Sequence, residues 1–334
     1  MATTAKGAFD TFMKDFVRLD ADRTEVAKKS KNNLVKEIEK FPEDGKFFLM
    51  YPAFSSIDYG SFSRKTKIRE LDDIDIMIVM HAQSNWRETI TGGYRIRLPE
   101  GETRQRDQCN PGTNVLNSIK VVNRFKEYLS NVPLYDSAVV KRNQEAATLK
   151  LKSYEWVFDI VPCFITIPDA GGDTFFLIPD GTGNWKPTDP RIDKDRTTSI
   201  NGKQKISVLD MIRIMKYWTN RATMPTMESY FLENLILEYY DAPGRTSTDF
   251  IDEELGDLFA LVYHKVQQPF YDPKGYQGDI NHLTPDERNL VQERARLDYH
   301  RAREARDHEG KGRKRESIAK WGEIFGPDFP SFTV

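Results

Sequence analysis

Apolar residues recur at helical spacing from the start of the chain. Ala8, Phe9, Phe12, Met13, Phe16 and Val17 lie three and four apart, and Val26, Leu34, Val35, Ile38 and Phe41 continue the period after the polar break at Asp20–Asp22. The pattern predicts a helical N-terminus with a long second helix. Phe47 to Met50 and Ile74 to Met80 are short apolar runs that read as buried strands, with a loop, turn and helix over Ser55 to Arg69 between them. Residues 82–112 are polar and Gly-rich and predict an exposed excursion; Val115 to Leu129 returns to the helical period. Ala147 to Ile167 is strand-like, richest at Trp156, Val157, Phe158, Ile160 and Val161. Residues 168–205 hold Pro168, Gly171, Gly172, Pro179, Gly181, Gly183, Pro187 and Pro190 and read as a loop-rich hinge with a domain boundary near its end.

Beyond the hinge the chain reads as helical over Ile206 to Trp218, Ser229 to Tyr240, Phe250 to Val266 and Thr284 to Arg306. The last of these opens on Thr284-Pro285-Asp286-Glu287, where Thr can cap, Pro suits the first turn and the acids favour the helix dipole. The expected organisation is an α/β core over residues 1–200, a mixed sheet backed by helices, and a helical lobe over 201–334, the two enclosing a central cleft.

Composition narrows the class. The 334 residues carry 49 basic and 51 acidic side chains, a net charge of -2, so no global field draws in a nucleic-acid duplex. The basic run Lys311 to Arg315 lies among acids and reads as a solvated helix face. No apolar stretch approaches a membrane span and the first residues lack a signal-peptide pattern, so the expectation is a soluble, cytoplasmic protein. Cys109 and Cys163 are far apart and read as ordinary thiols, and the five histidines show no metal-ligand spacing. Gly181-Thr182-Gly183 lacks the context of a dinucleotide fingerprint and reads as a tight turn; Trp185 suits either base stacking or packing.

The informative stretch runs from Gly60-Ser61 to Asp72-Asp73-Ile74-Asp75-Ile76. Side chains alternate along a strand, so Asp73 and Asp75 project to one face while Ile74, Ile76 and Ile78 pack on the other; Asp72 alternates the wrong way. Paired carboxylates repel unless a cation lies between them, and Mg²⁺ takes oxygen ligands and keeps phosphate oxygens in its shell. Gly60 allows close backbone approach to a phosphate, and Ser61 offers a hydroxyl and an amide N–H. A two-metal transfer needs a third carboxylate. Asp159, between Phe158 and Ile160 in the most apolar strand of the middle region, is the candidate, with a salt bridge to a buried Lys or Arg as the alternative.

Gly60-Ser61 with Arg64, Thr66 and Ile68, then Asp73-Ile74-Asp75, then Phe158-Asp159-Ile160-Val161-Pro162 resembles the nucleotidyltransferase core of the polymerase-β-like superfamily. More narrowly, together with the flanks Phe9 to Leu34, Trp185 to Pro190 and Trp321 to Gly326, the chain resembles the bacterial cGAS/DncV-like nucleotidyltransferases, which make signalling oligonucleotides in antiphage (CBASS) defence. The resemblance implies two Mg²⁺ ions, with Mn²⁺ able to substitute, held by Asp73, Asp75 and Asp159. It implies nucleoside triphosphate substrates, ATP or GTP, bound by Gly60 and Ser61, and a lysine and serine on the helical lobe, Lys216 and Ser229, that bind the donor triphosphate. For Lys216 the plainer reading is an exposed lysine on an amphipathic helix, and for Ser229 a cap of the next helix. The implied product is a cyclic di- or trinucleotide read by a separate effector, with a regulatory protein partner and no duplex required. The alternatives are a linear oligonucleotide synthetase, nucleotidyl transfer to another acceptor, and an inactive nucleotide-binding scaffold.

Overall fold

The Asp-Ile-Asp segment forms the strand its alternation predicts. In the computed structural model, which describes residues 2–333, it runs from Asp73 to Val79. In chain order the elements are α1 (Ala5–Phe12, extended by a π turn to Val17), α2 (Ala21–Glu39), β1 (Ser56–Asp58), α3 (Gly60–Ser63), β2 (Asp73–Val79), β3 (Trp86–Ile90), β4 (Gly93–Arg97), β5 (Val115–Leu116) and α4 (Ser118–Ser130). Then come β6 (Val139–Asn143), β7 (Ala146–Lys150), β8 (Val157–Ile165), β9 (Phe176–Pro179), β10 (Trp185–Thr188), α5 (Pro190–Lys203), α6 (Val208–Thr219), α7 (Ser229–Asp241), α8 (Ile251–Lys265), α9 (Pro285–Gly310) and α10 (Lys314–Phe325). Among the described residues no helix is long and apolar enough to cross a membrane.

One compact unit comprises Ala21–Ser63 and Leu71–Arg191 and holds the sheet, in strand order β1-β2-β8-β9-β10-β4-β3 with β7 also on β8. Only β2 and β8 pair in parallel among its ladders; the others are antiparallel, so the sheet is mixed as expected. Ile74, Ile76, Phe158 and Ile160 are fully buried on one face of the parallel pair. α4 starts on Asn117, whose side chain accepts from the Lys120 N–H, and buries Val121, Val122, Phe125 and Leu129.

The other unit comprises Met1–Asp20, Arg64–Glu70 and Ile192–Val334. Its core is α-helical. α9 begins with the capping box read from sequence, Thr284 and Glu287 bonding each other's backbone N–H groups. The division differs from a single cut at residue 200, and the reason is packing: Phe9 of α1 sets its ring 5.0 Å from both Trp321 and Phe329, so the N-terminal helix shares the core of the helical unit.

Three local readings are corrected. Phe47 to Met50 makes no strand; Met50 forms an isolated bridge to Met80, while Phe47 and Phe48 pack with Phe125 in an aromatic cluster. Residues 82–112 contain the hairpin β3–β4, whose exposed charged positions Arg87 and Arg95 conceal the strand period. The hinge 168–205 contains β9, β10 and α5, because the buried run Phe176 to Pro179 is a strand too short to outweigh the surrounding Gly and Pro.

Candidate active site

Register assembles the acids. Asp75 and Asp159 are Cα partners across the parallel pair β2–β8, and Asp73 lies two residues before Asp75, so the three carboxylates share one face. Asp73, Asp75 and Asp159 are each half-buried, opposite in pleat to the buried isoleucines. Asp72 lies outside the strand and is exposed; its carbonyl accepts from the Val157 N–H at 2.8 Å, which leaves it a pairing role. On the far side of β8, Thr148 is the register partner of Asp159 and donates its hydroxyl to Asp159 Oδ1 at 2.7 Å.

Gly60 completes this face. It opens α3 with φ +70°, and a β-carbon there would come to 1.8 Å from Asp75 Oδ2. Only a residue without a side chain fits so close to the carboxylate in that backbone conformation. Ser61 follows immediately, half-buried.

Among the described residues no three His, Cys, Asp or Glu side chains already stand as a ligand array. The donor set nevertheless suits a hard divalent ion: carboxylate oxygens on one sheet face, beside a glycine cradle that a Cβ would fill.

The remaining two expected residues belong to the helical unit. Lys216 of α6 is 4 % exposed, so it is not the solvated lysine of an amphipathic helix; its ammonium donates to the Thr66 carbonyl at 3.1 Å and to Glu233. Ser229 is exposed as the first residue of α7, and the cap position is Glu228, so a capping role for Ser229 is not what the helix uses. Glu233 also accepts from Arg64 Nε at 2.9 Å and Nη2 at 3.3 Å. Burial pushes the Glu233 carboxyl up, but Arg64 and Lys216 overcome that and hold it at about 2. Burial also pulls the Lys216 ammonium down, with Glu233 opposing.

Glu233 and Thr148 escaped the sequence reading. Glu233 had a signal, a lone acid within the apolar run Phe231-Leu232-Glu233-Asn234-Leu235. Thr148 had none, because its importance arises from register alone. Two other readings resolve plainly: Trp185 is fully buried and donates Nε1–H to the Leu116 carbonyl, a packing role, and Asp180 closes the turn at Gly181-Thr182-Gly183 by accepting from three backbone N–H groups.

No protein-family model matches the chain. It is 38% identical over 333 residues to a probable cyclic nucleotide synthase of Bacillus cereus (strain VD146), an alignment spanning 99% of both chains. Its fold is similar to that of E. coli MS115-1 CdnC solved with ATP, at a TM-score of 0.69 and 16% identity over 98% of this chain and 99% of that one. It is also similar to Vibrio cholerae DncV, a cyclic AMP-GMP synthase, at a TM-score of 0.58 and 14% identity over 83% of this chain and 70% of that one. The acidic face beside Gly60 and the full-length relative lead to one assignment: the chain belongs to the bacterial cGAS/DncV-like nucleotidyltransferase family.

Proposed function

We propose that the protein joins nucleoside triphosphates into a cyclic di- or trinucleotide. The observation that carries the reading is the shared face of Asp73, Asp75 and Asp159 with Gly60 packed against Asp75. A non-catalytic scaffold has no use for acids held together in this way, since like charges on one face destabilise it.

In this reading Asp73, Asp75 and Asp159 hold two Mg²⁺ ions, or Mn²⁺, which when bound neutralise the triphosphate and make the acceptor ribose hydroxyl more acidic. Thr148 fixes the Asp159 carboxylate through its hydroxyl and so orients the third ligand. Gly60 lets the main chain approach the donor phosphates, and Ser61 offers them its amide N–H and hydroxyl. Lys216 presents an ammonium with three protons, two of which are engaged by Thr66 and Glu233; in this reading the third serves a phosphate oxygen of the donor. The exposed hydroxyl of Ser229 supplies a further contact. These groups act by positioning and charge, which is what phosphoryl transfer chiefly requires.

The name of the Bacillus relative supports a cyclic product over a linear one. ATP in the CdnC structure supports ATP as a substrate, and the CdnC complex with HORMA-deltaN supports control by a protein partner. An antiphage role with a separate effector completes the reading. The test is incubation of the pure protein with the four NTPs and Mg²⁺ or Mn²⁺, followed by mass spectrometry. Cyclic species support it; a linear ladder, nucleotidylated acceptor or unchanged NTPs select the alternatives.

A further inference from the structure

We propose that Glu233 is a positioning residue for donor-phosphate binding, aiming the Lys216 ammonium at the triphosphate. The proposal rests on the reading of Lys216 given above and extends it to a residue that itself touches no substrate.

Glu233 is 1 % exposed and sits among Phe231, Leu232, Leu235 and Ile236. A carboxylate in such a place is costly unless it is paired and hydrogen-bonded. It is doubly paired: Arg64 reaches it through Nε and Nη2, and Lys216 through Nζ. The Lys216 ammonium is therefore held from two directions, by a carboxylate on α7 and by the Thr66 carbonyl in the segment that follows Arg64. Long lysine side chains lose rotamer freedom when fixed, and here that loss is already met before any phosphate arrives. Two cations sharing one carboxylate also leave the trio with a net positive charge in a region shielded from water, which favours an incoming anion.

The same geometry makes Lys216 sensitive to Glu233 through protonation. The charged groups acting on its ammonium are Glu233, Arg64 and Lys67; burial and the two cations disfavour the charged form, and Glu233 is the charged group that favours it, beside the Thr66 carbonyl that accepts from the ammonium. Removing the carboxylate charge thus makes Lys216 lose its proton at lower pH, and with it both charge and donor. A glutamate that merely supported the helix would leave this behaviour unchanged.

The experiment measures affinity for a non-hydrolysable ATP analogue from about pH 7 to pH 10, a range chosen around the ordinary lysine value. The variants are Glu233→Gln, Glu233→Asp, Lys216→Met and Glu233→Gln with Lys216→Met, each checked for a cooperative melt. Glu233→Gln is expected to weaken binding about tenfold and to move the midpoint of its alkaline loss down by about one pH unit or more. Glu233→Asp, which keeps the charge, is expected to restore the midpoint, and it carries the test if Glu233→Gln does not fold. In the Lys216→Met background, Glu233→Gln is expected to change affinity by less than about twofold, because its effect runs through the missing ammonium. An unmoved midpoint in Glu233→Gln, a shifted midpoint in Glu233→Asp, or equal weakening in both backgrounds would overturn the proposal alone. Unchanged affinity in Lys216→Met would overturn the reading of Lys216, and the proposal with it.

Discussion

Gly60 stands so close to Asp75 that a β-carbon on it would fall 1.8 Å from the carboxylate Oδ2 and 2.6 Å from Cγ. The contact joins the two halves of the sequence motif, the Gly-Ser pair and the Asp-x-Asp strand, into one surface. Gly60→Ala meets both a clash and a positive φ, so either the start of α3 or the Asp75 carboxylate must move. A displacement of about 1 Å at a reacting centre costs about 100-fold in rate. We expect Gly60→Ala to lose about 100-fold in initial rate with NTPs while remaining folded by circular dichroism. A rate within about threefold of the parent would show that the contact is not needed.

Asp73→Asn and Asp75→Asn each remove one carboxylate charge from the acidic face while keeping its shape. Product formation should fall below detection. Metal-free melting should be unchanged or higher, since repulsion among Asp73, Asp75 and their register neighbour Asp159 is reduced. Activity of more than a few per cent in the double variant would remove these residues from the mechanism.

Thr148→Val keeps the β-branched shape but deletes the hydroxyl that donates to Asp159. Loss of a supporting bond to a metal ligand lowers metal affinity by about 10- to 100-fold. The Mg²⁺ concentration for half-maximal rate should rise accordingly, with the maximal rate at saturating Mg²⁺ less affected. An unchanged Mg²⁺ dependence would mean that Asp159 needs no such support.

Gly60, Asp73, Asp75, Asp159 and Thr148 differ in how far the sequence alone reveals them. Asp73, Asp75 and Gly60 were legible because alternation on one strand and a nearby glycine are local signals, and the Ile74 and Ile76 positions confirmed the pleat. Asp159 was legible from a lone acid in an apolar strand. Thr148 was not, because it is defined by the β7–β8 register, a long-range property. α6 to α9 lie where helical spacing, or for α9 the capping sequence, places them, whereas of α10 only the basic face at its start is legible. The hairpin β3–β4 is not legible, since β3 buries none of its residues and β4 only Ile96, which leaves no apolar period, and the packing of α1 in the helical unit is not legible either, because amphipathicity names a buried face without naming its partner.

Glu233 makes acid stability measurable. Its folded pKa, about 2, lies below the ordinary value of 4.5, so its contribution is fully present above that ordinary value and is lost as pH falls through it towards about 2. Urea unfolding should show this share disappearing between about pH 5 and pH 2, and Glu233→Gln, destabilised at neutral pH, should approach the parent at the acid end. Parallel curves for the two proteins across that range would contradict the pairing.

Activity should not require a nucleic-acid duplex. The net charge is -2 and both cysteines are buried and free, so the chain carries neither a global basic field nor a zinc-cysteine grip. Initial rates with and without long DNA or RNA should agree. A stimulation that declines steeply with salt would show duplex binding.

Ring closure by the acidic face leaves its mark on the product. The most direct measurement treats the purified reaction product with alkaline phosphatase and compares it by mass spectrometry before and after. A cyclic di- or trinucleotide has no terminal phosphate, so the expected result is a single species that survives unchanged and is absent from reactions of the Asp73→Asn, Asp75→Asn protein. A product that loses phosphates, or a ladder of lengths, would contradict it.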